Sequence, residues 1–215
     1  RNSWITKMKI KICGITRNID AQLCAKYGAD AIGFIFYPKS KRYIEPILAK
    51  DISRSLPPFI TKVGVFVNEE IEEVNRIAKL VGLNAVQLHG DESPDYVNKM
   101  THPVIKCFGI DESFDFSIID AYNNCDVLLD VKDTEQFGGT GKTFNWNLIP
   151  EHVRAKVIIA GGVSSKNILD ICNTIHPSGV DLSSSVETAP GIKDKKKILE
   201  VLKIIDEIKH NEYDK

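Results

Sequence analysis

Short apolar runs, each followed by a segment with helical periodicity, recur along the whole chain, and this recurrence most limits how it can fold. The runs occupy residues 9–13, 31–36, 62–67, 84–89, 104–109, 126–130, 156–162 and 179–184. They are rich in Val, Ile and Phe and return roughly every 20–30 residues, the spacing of strand–helix units. The pattern therefore predicts a parallel sheet covered by helices.

Several of the intervening segments carry helix start and stop signals. Asn68 is a good N-cap for the segment that follows it, and Gly82 is a typical helix terminator. The predicted helices occupy 18–27, 69–81, 164–175 and 193–208.

Eight strands and about as many helices in 215 residues predict an α/β fold, a single-domain (β/α)8 TIM barrel near its lower size limit. A doubly wound open sheet is the alternative, but it usually has five or six strands. No Pro/Ser-rich linker divides the chain. We expect residues 1–7 to lie outside the fold and residues 8–215 to form the barrel catalytic domain.

Composition excludes several function classes. With 28 Lys and Arg against 29 Asp and Glu, the net charge is −1, which argues against coating a nucleic acid. No apolar run approaches the roughly 18 residues that span a bilayer, so no membrane role is expected. Five scattered cysteines form no CxxC pair, which favours a reducing, cytoplasmic compartment. No His spacing indicates a metal site.

In a barrel of this type, the chemistry takes place where each strand ends and its βα loop begins. The polar or small residues at those positions are Cys13, Arg42, Asn68, His89, Asp130, Gly161, Gly162, Ser183 and Ser184.

Two glycine-containing segments favour ligand binding. Gly161-Gly162 and Ser183-Ser184 follow the last two strands, where such barrels often bind phosphate through backbone N–H groups. The stretch GGTGKT (138–143) is not a P-loop, because Gln136 stands where the first glycine of that motif is required. Gly139 and its neighbours predict instead a lid over the barrel mouth, with a plain surface turn as the alternative.

Cys13 and Asp130 are the candidate reactive groups. By strand alternation Lys9, Lys11 and Cys13 share the face that points into the barrel, and a nearby ammonium lowers the pKa of a thiol. The alternative is a buried, inert cysteine. Asp130 closes an apolar strand, where a carboxylate is costly unless it is solvated, hydrogen-bonded or functional.

Arg42 follows the second strand and could pair with a substrate carboxylate or phosphate, although a solvated basic loop is the alternative. Asp126 and Asp181 are weaker candidates. Asp126 opens its strand, and Asp181 is expected to be structural inside the eighth strand.

These residues lie in stretches that resemble the phosphoribosylanthranilate isomerase family of tryptophan biosynthesis. The resemblance covers the chain from Met8 onward and involves all but the fifth strand end. The matching stretches are KICGIT (11–16), GADAIGFIFYPKSKRYI (28–44), VGVFVN (63–68), NAVQLHGDE (84–92), LLD (128–130), FGGTGKTFNW (137–146), AGG (160–162) and VDLSSSVE (180–187).

The resemblance implies an Amadori rearrangement of N-(5-phosphoribosyl)anthranilate without a metal or redox cofactor. It places the base at Cys13 and the acid, which must carry a proton, at Asp130. Arg42 would hold the anthranilate carboxylate. Further substrate-binding residues would be Gln87 and His89 on one face of strand four, and Gly161, Gly162, Ser183 and Ser184 around the phosphate. The implied partner is a small phosphoribosyl molecule, and such barrels are monomers or homodimers.

One position departs from the family pattern, because Ser185 stands where SSGVE is usual. If that position needs a positive φ, serine would strain the phosphate loop by roughly 1–2 kcal/mol. Two other functions stay open on the residues alone. One is another phosphosugar isomerase or epimerase, and the other is a non-catalytic phosphosugar-binding barrel, which would be expected to lack the acid or the base.

Overall fold

The computed structural model describes residues 8–131, 145–154 and 156–211. Eight parallel strands form a closed barrel in the order of the sequence, β1 next to β2 and so on to β8, which pairs with β1. The strands are β1 Lys9–Ile12, β2 Ala31–Ile35, β3 Thr61–Phe66, β4 Ala85–Leu88, β5 Val104–Ile110, β6 Asp126–Val131, β7 Val157–Ala160 and β8 Gly179–Leu182. The predicted TIM barrel is confirmed.

Helices surround the strands. Those in the described residues are α1 Asn18–Lys26, α2 Pro46–Ser55, α3 Ile71–Val81, α4 Pro94–Asn98, α5 Glu151–Arg154, α6 Ile168–Ile175 and α7 Lys195–Asn211. Short 3₁₀ helices occupy Phe116–Tyr122, Trp146–Leu148 and Ser184–Val186. None of these described helices combines the length and the hydrophobicity that crossing a bilayer requires.

Strand alternation divides the apolar side chains into two layers. Met8, Ile10 and Ile12 of the first strand region lie in the large core between barrel and helices, as the sequence predicts. A smaller cluster fills the barrel interior. Its members are Val63, Ala85, Ile105, Cys107, Leu128 and Ala160.

The structure differs from the local predictions in three places, one of which is the helix predicted over 164–175, which begins only at Ile168. Asn68 is not the N-cap of α3, since Glu70 precedes the helix and Asn68 has a φ of 50°. Its side-chain oxygen instead accepts a hydrogen bond from the Asp91 N–H at 2.7 Å, which ties two βα loops together. A small hairpin of β9 Glu187–Ala189 and β10 Ile192–Lys193, placed between β8 and α7, was not predicted.

Candidate active site

Cys13 lies at the carboxyl end of β1, beside the end of β8. Its N–H donates to the Leu182 carbonyl at 2.8 Å, and the residue is 6% exposed. A β-carbon built on Gly33 of β2 would lie 2.7 Å from Cys13 Sγ, so glycine is what leaves room for the thiol. The predicted inward direction of Cys13 is confirmed.

Beneath the thiol, Lys11 and Asp181 form an ion pair across β1 and β8. The two residues are register partners, and Lys11 Nζ lies 2.6 Å from Asp181 Oδ2 with both side chains almost fully buried. Burial lowers the pKa of Lys11, but Asp181 and Cys13 together outweigh it and raise that pKa above its ordinary value. Lys11 therefore carries its charge inside the barrel. Lys9, at the opposite end of β1, is exposed and pairs with Asp30.

The pKa of Cys13 moves against the sequence-based expectation. Burial of the thiol raises its pKa, the Lys11 ammonium lowers it, and the Asp181 carboxylate raises it again, with a net increase. The expected ammonium is present, but desolvation outweighs it because a thiolate in the barrel interior loses its hydration. Cys13 is thus a thiol at neutral pH in this structure.

Asp130 in β6 is half-buried and contacts His89, the first residue after β4. His89 Nε2 lies 3.2 Å from Asp130 Oδ2, and Gln87 Nε2 lies 3.2 Å from His89 Nδ1. Gln87 and His89 therefore share the predicted face of β4. The chain Gln87–His89–Asp130 fixes the imidazole against the carboxyl group, where it can share or exchange a proton.

Arg42 is held by a residue that the sequence did not single out. Its Nε donates to both carboxylate oxygens of Glu187 at 3.0 Å, and its Nη2 donates to Oε2 at 2.7 Å. Arg42 also lies over the β1 end, because a β-carbon on Gly14 would come within 2.6 Å of its Cδ. Arg42 is thus not a solvated loop residue.

Lys193 of β10 is bonded both to the end of β1 and to Glu187. Its Nζ donates to the Cys13 carbonyl at 2.5 Å and to the Ser183 carbonyl at 3.3 Å, and it lies 2.8 Å from Glu187 Oε1. Burial works against the Glu187 charge, but Arg42 and Lys193 lower the pKa of Glu187 below its ordinary value. Glu187 therefore stays ionised and orients the Arg42 guanidinium.

The predicted phosphate-binding residues lie at the ends of β7 and β8. Gly161 and Gly162 have φ angles of 78° and 66°, which favour glycine. At Gly161 a β-carbon would also overlap the Val131 backbone and approach Asp130 Oδ1. Ser183 and Ser184 lead into the 3₁₀ turn Ser184–Val186. Backbone N–H groups can therefore approach an anion closely at this end of the barrel.

Ser185 does not strain this segment. Among the described residues other than glycine, only Asn68 and His176 have a positive φ, so serine costs nothing on that account. The predicted lid residue Gly139 lies outside the described residues.

His89, Cys107 and Asp130 bring one potential ligand atom each to within 4.8 Å of one another. Burial raises the pKa of the Cys107 thiol far above its usual range. His89 and Asp130 are already paired with each other. The three groups therefore lie together, with the contact between His89 and Asp130 as the ion pair within the cluster.

A second buried ion pair lies on the opposite side of the barrel. Lys106 Nζ lies 2.8 Å from Glu92 Oε2 and donates to the Gly90 carbonyl at 2.5 Å. Glu92 Oε1 accepts the N–H of Asn68 at 2.8 Å, and both oxygens accept the N–H of Gly90. This network fixes the loops after β3 and β4.

Comparison with known proteins identifies the relatives of the chain. The family model described as N-(5'phosphoribosyl)anthranilate (PRA) isomerase matches residues 10–204. An N-(5'-phosphoribosyl)anthranilate isomerase of Syntrophus aciditrophicus is 44% identical over 197 residues, which is 90% of this chain and 85% of the relative.

Two solved structures superimpose on nearly the whole barrel. The phosphoribosyl anthranilate isomerase of Thermotoga maritima has a TM-score of 0.86 and 43% identity, covering 93% of this chain and 99% of its own. A phosphoribosyl anthranilate isomerase in complex with reduced 1-(o-carboxyphenylamino)-1-deoxyribulose 5-phosphate has a TM-score of 0.82 and 39% identity, with the same coverage.

Proposed function

The chain belongs to the N-(5'-phosphoribosyl)anthranilate isomerase family, and from that premise we propose that Cys13 and Asp130 are the base and the acid of its reaction. The activity is the isomerisation of N-(5'-phosphoribosyl)anthranilate to 1-(o-carboxyphenylamino)-1-deoxyribulose 5-phosphate in tryptophan biosynthesis. One observation supports the assignment above others. Cys13, Asp130, Gly161 and Ser183 stand at the carboxyl ends of four strands, and therefore at one mouth of the closed barrel.

Asp130 is suited to the first step, in which the ribose ring oxygen takes up a proton and the sugar opens to an iminium. The side chain of Asp130 is 35% exposed, so it can reach a bound sugar, and His89 contacts its Oδ2 at 3.2 Å. An imidazole at that distance can return the proton after each turnover. Gln87 supports the ring from its other nitrogen.

Cys13 is suited to the second step, in which the proton on C2 of the iminium is removed to give an enolamine. The thiol is small, lies over Gly33, and has the Lys11 ammonium next to it. The enolamine then tautomerises to the ketone, and the thiol proton is released again. Because burial raises the pKa of Cys13, the active thiolate is a minor species at neutral pH.

Arg42 and the ends of β7 and β8 would hold the two charged ends of the substrate. Glu187 accepts hydrogen bonds from Nε and Nη2 of Arg42, which leaves Nη1 to bind the anthranilate carboxylate. The phosphate would lie against Gly161, Gly162, Ser183 and Ser184, where backbone N–H groups can approach its oxygens. Gly139 is also proposed to take part in substrate binding. We also propose that the chain acts in the cytoplasm as a monomer or homodimer.

The deciding experiment follows the fluorescence loss of freshly generated phosphoribosylanthranilate. The Cys13→Ser variant should lose two or more orders of magnitude in turnover, the usual contribution of acid–base catalysis. Cys125→Ser is a matched control, because the half-buried Cys125 precedes β6, at the end of that strand opposite Asp130, and donates to the Tyr122 carbonyl, which serine can also do. Near-normal turnover in Cys13→Ser would remove Cys13 from the role of base.

A further inference from the structure

Cys13 and the two residues beneath it bring together one ammonium, that of Lys11, and two groups that can carry negative charge, the Cys13 thiol and the Asp181 carboxyl group. Lys11 Nζ lies 2.6 Å from Asp181 Oδ2, and the buried Lys11 and Cys13, two residues apart in the chain, share the face that points into the barrel. The roles proposed above leave Lys11 and Asp181 without a function. Burying two charges is expensive, so a pair kept inside a barrel calls for an explanation.

Asp181 is only half satisfied. Its Oδ2 accepts from Lys11, whereas Oδ1 is buried with no hydrogen-bond partner among the described residues. A carboxylate that serves only structure is normally bonded at both oxygens, because an open buried oxygen costs about 1–3 kcal/mol. Because Asp181 binds Lys11 through one oxygen only, the pair does not fully fix the position of the Lys11 ammonium.

The charges around Cys13 are few and can be named. Lys11 faces it from β1, Asp181 from β8 and Lys193 from β10, whereas β2 contributes the uncharged Gly33. Lys193 is already bound to Glu187 and to two carbonyl oxygens, including that of Cys13. Lys11 is therefore the cation most able to respond when the thiol loses its proton.

Resting on the proposed role of Cys13, we propose that Asp181 and Cys13 compete for the single Lys11 ammonium, so that Lys11 favours the thiolate and Asp181 favours the thiol. With a thiol, Lys11 and Asp181 form a neutral pair. Loss of the Cys13 proton leaves two anions against one cation in a medium of low dielectric constant, which is unfavourable. Lys11 and Asp181 are thus positioning residues that determine how much thiolate the enzyme holds at a given pH.

The test is a pH titration of the Cys13 thiolate by its ultraviolet absorbance, measured as the difference from the same protein carrying Cys13→Ser. Asp181→Asn should move the midpoint to lower pH, because the thiolate becomes the only anion beside Lys11. The double variant Lys11→Met/Asp181→Asn removes both charges and leaves no unpaired ion. Its midpoint should lie about 1–3 pH units above that of Asp181→Asn.

The double variant Lys106→Met/Glu92→Gln is the matched control. It neutralises a buried pair of the same kind that does not act on Cys13, so the midpoint should stay at the wild-type value. A purely structural role of Lys11 and Asp181 would lower the stability of each variant without moving the midpoint of the Cys13 titration. The competition would be overturned if the midpoint of Asp181→Asn did not fall below that of the wild type, or if the midpoint of Lys11→Met/Asp181→Asn did not lie above that of Asp181→Asn.

The proposed base and the proposed competition can fail separately. If Cys13→Ser keeps its turnover, the proposed base is wrong, yet the titration still measures whether Lys11 and Asp181 act on the thiol. If both proposals hold, the rising limb of turnover against pH should move in the same direction as the titration midpoint in Asp181→Asn.

Discussion

Two buried lysine–carboxylate pairs lie on different sides of the same barrel and are bonded in different ways. Between β4 and β5, Glu92 binds Lys106 and two backbone N–H groups, so both of its oxygens are satisfied. Between β1 and β8, Asp181 binds Lys11 through one oxygen only. The first pair fixes loops, whereas the second leaves charge available to the thiol above it. The proposed role of Lys11 and Asp181 thus goes with incomplete hydrogen bonding, whereas the Lys106–Glu92 pair is fully bonded.

The largest expected effect is on stability at the β4–β5 pair. Lys106→Met leaves the buried Glu92 without its cation and should reduce the free energy of unfolding by about 3–5 kcal/mol. Urea denaturation measures the loss, and the molecules that stay folded should keep their turnover. A variant of unchanged stability but low turnover would assign the Lys106 pair to catalysis and break the comparison.

Asp130→Asn tests whether function extends from the β1–β8 side to the contact between β4 and β6. The variant cannot supply the proton that opens the sugar, so turnover should fall by two or more orders of magnitude, about 2.7 kcal/mol or more. Affinity for the product should stay close to the wild-type value in a fluorescence titration. Near-normal turnover would remove Asp130 from the role of acid.

The contact between Glu187 and Arg42 should produce a smaller effect, confined to substrate binding. Arg42→Ala should raise KM about tenfold with little change in kcat, because one charge-assisted hydrogen bond to the substrate is lost. Glu187→Gln weakens the orientation of the same guanidinium and should raise KM by less. An unchanged KM in Arg42→Ala would refute the proposed contact with the substrate carboxylate.

The smallest expected effect is a difference in how the contributions of Glu92 and Asp181 to the free energy of unfolding depend on pH. Despite burial, Lys106 and backbone N–H groups lower the pKa of Glu92, so Glu92 stabilises the fold above its unfolded pKa and loses that contribution as the pH falls. Burial raises the pKa of Asp181 against the pull of Lys11, so its contribution is largest at low pH and declines as the pH rises.

Between neutral pH and about pH 3, the stability cost of Glu92→Gln should therefore shrink, while that of Asp181→Asn should grow. Denaturation midpoints at several pH values, each compared with the wild type, measure both trends. Parallel trends would mean that the two pairs are equivalent, against the difference in their hydrogen bonding.

The sequence predicted the barrel well because its strands are local signals. The run at 126–130 and the strand Asp126–Val131 agree to within one residue, since the Val and Leu of a buried strand are consecutive in the chain. The hairpin β9–β10 was missed because its strands have three and two residues and show no periodicity. Asn68 was misassigned because an asparagine before a helix also suits a left-handed turn.

The sequence predicted those site residues whose place follows from their position at a strand end. It missed the residues that reach the site only because the barrel closes. Cys13 and Asp130 stand at strand ends, and position alone singles them out. Glu187 and Lys193 contact Arg42 and Cys13 only through the closed barrel, 145 and 180 residues away in the chain. The shift in the pKa of Cys13 was expected with the wrong sign, because the extent of burial depends on packing that spacing does not reveal.

Because the first strand pairs with the last, the site can form only late in the synthesis of the chain. Strand Lys9–Ile12 is hydrogen-bonded to Gly179–Leu182, and 170 residues separate Lys11 from Asp181. At about 5–20 residues per second, a ribosome needs roughly 10–30 s to make that stretch. Throughout this interval Cys13 lacks the strand that buries it. Chemical protection of the thiol therefore begins only once nearly the whole barrel has been synthesised.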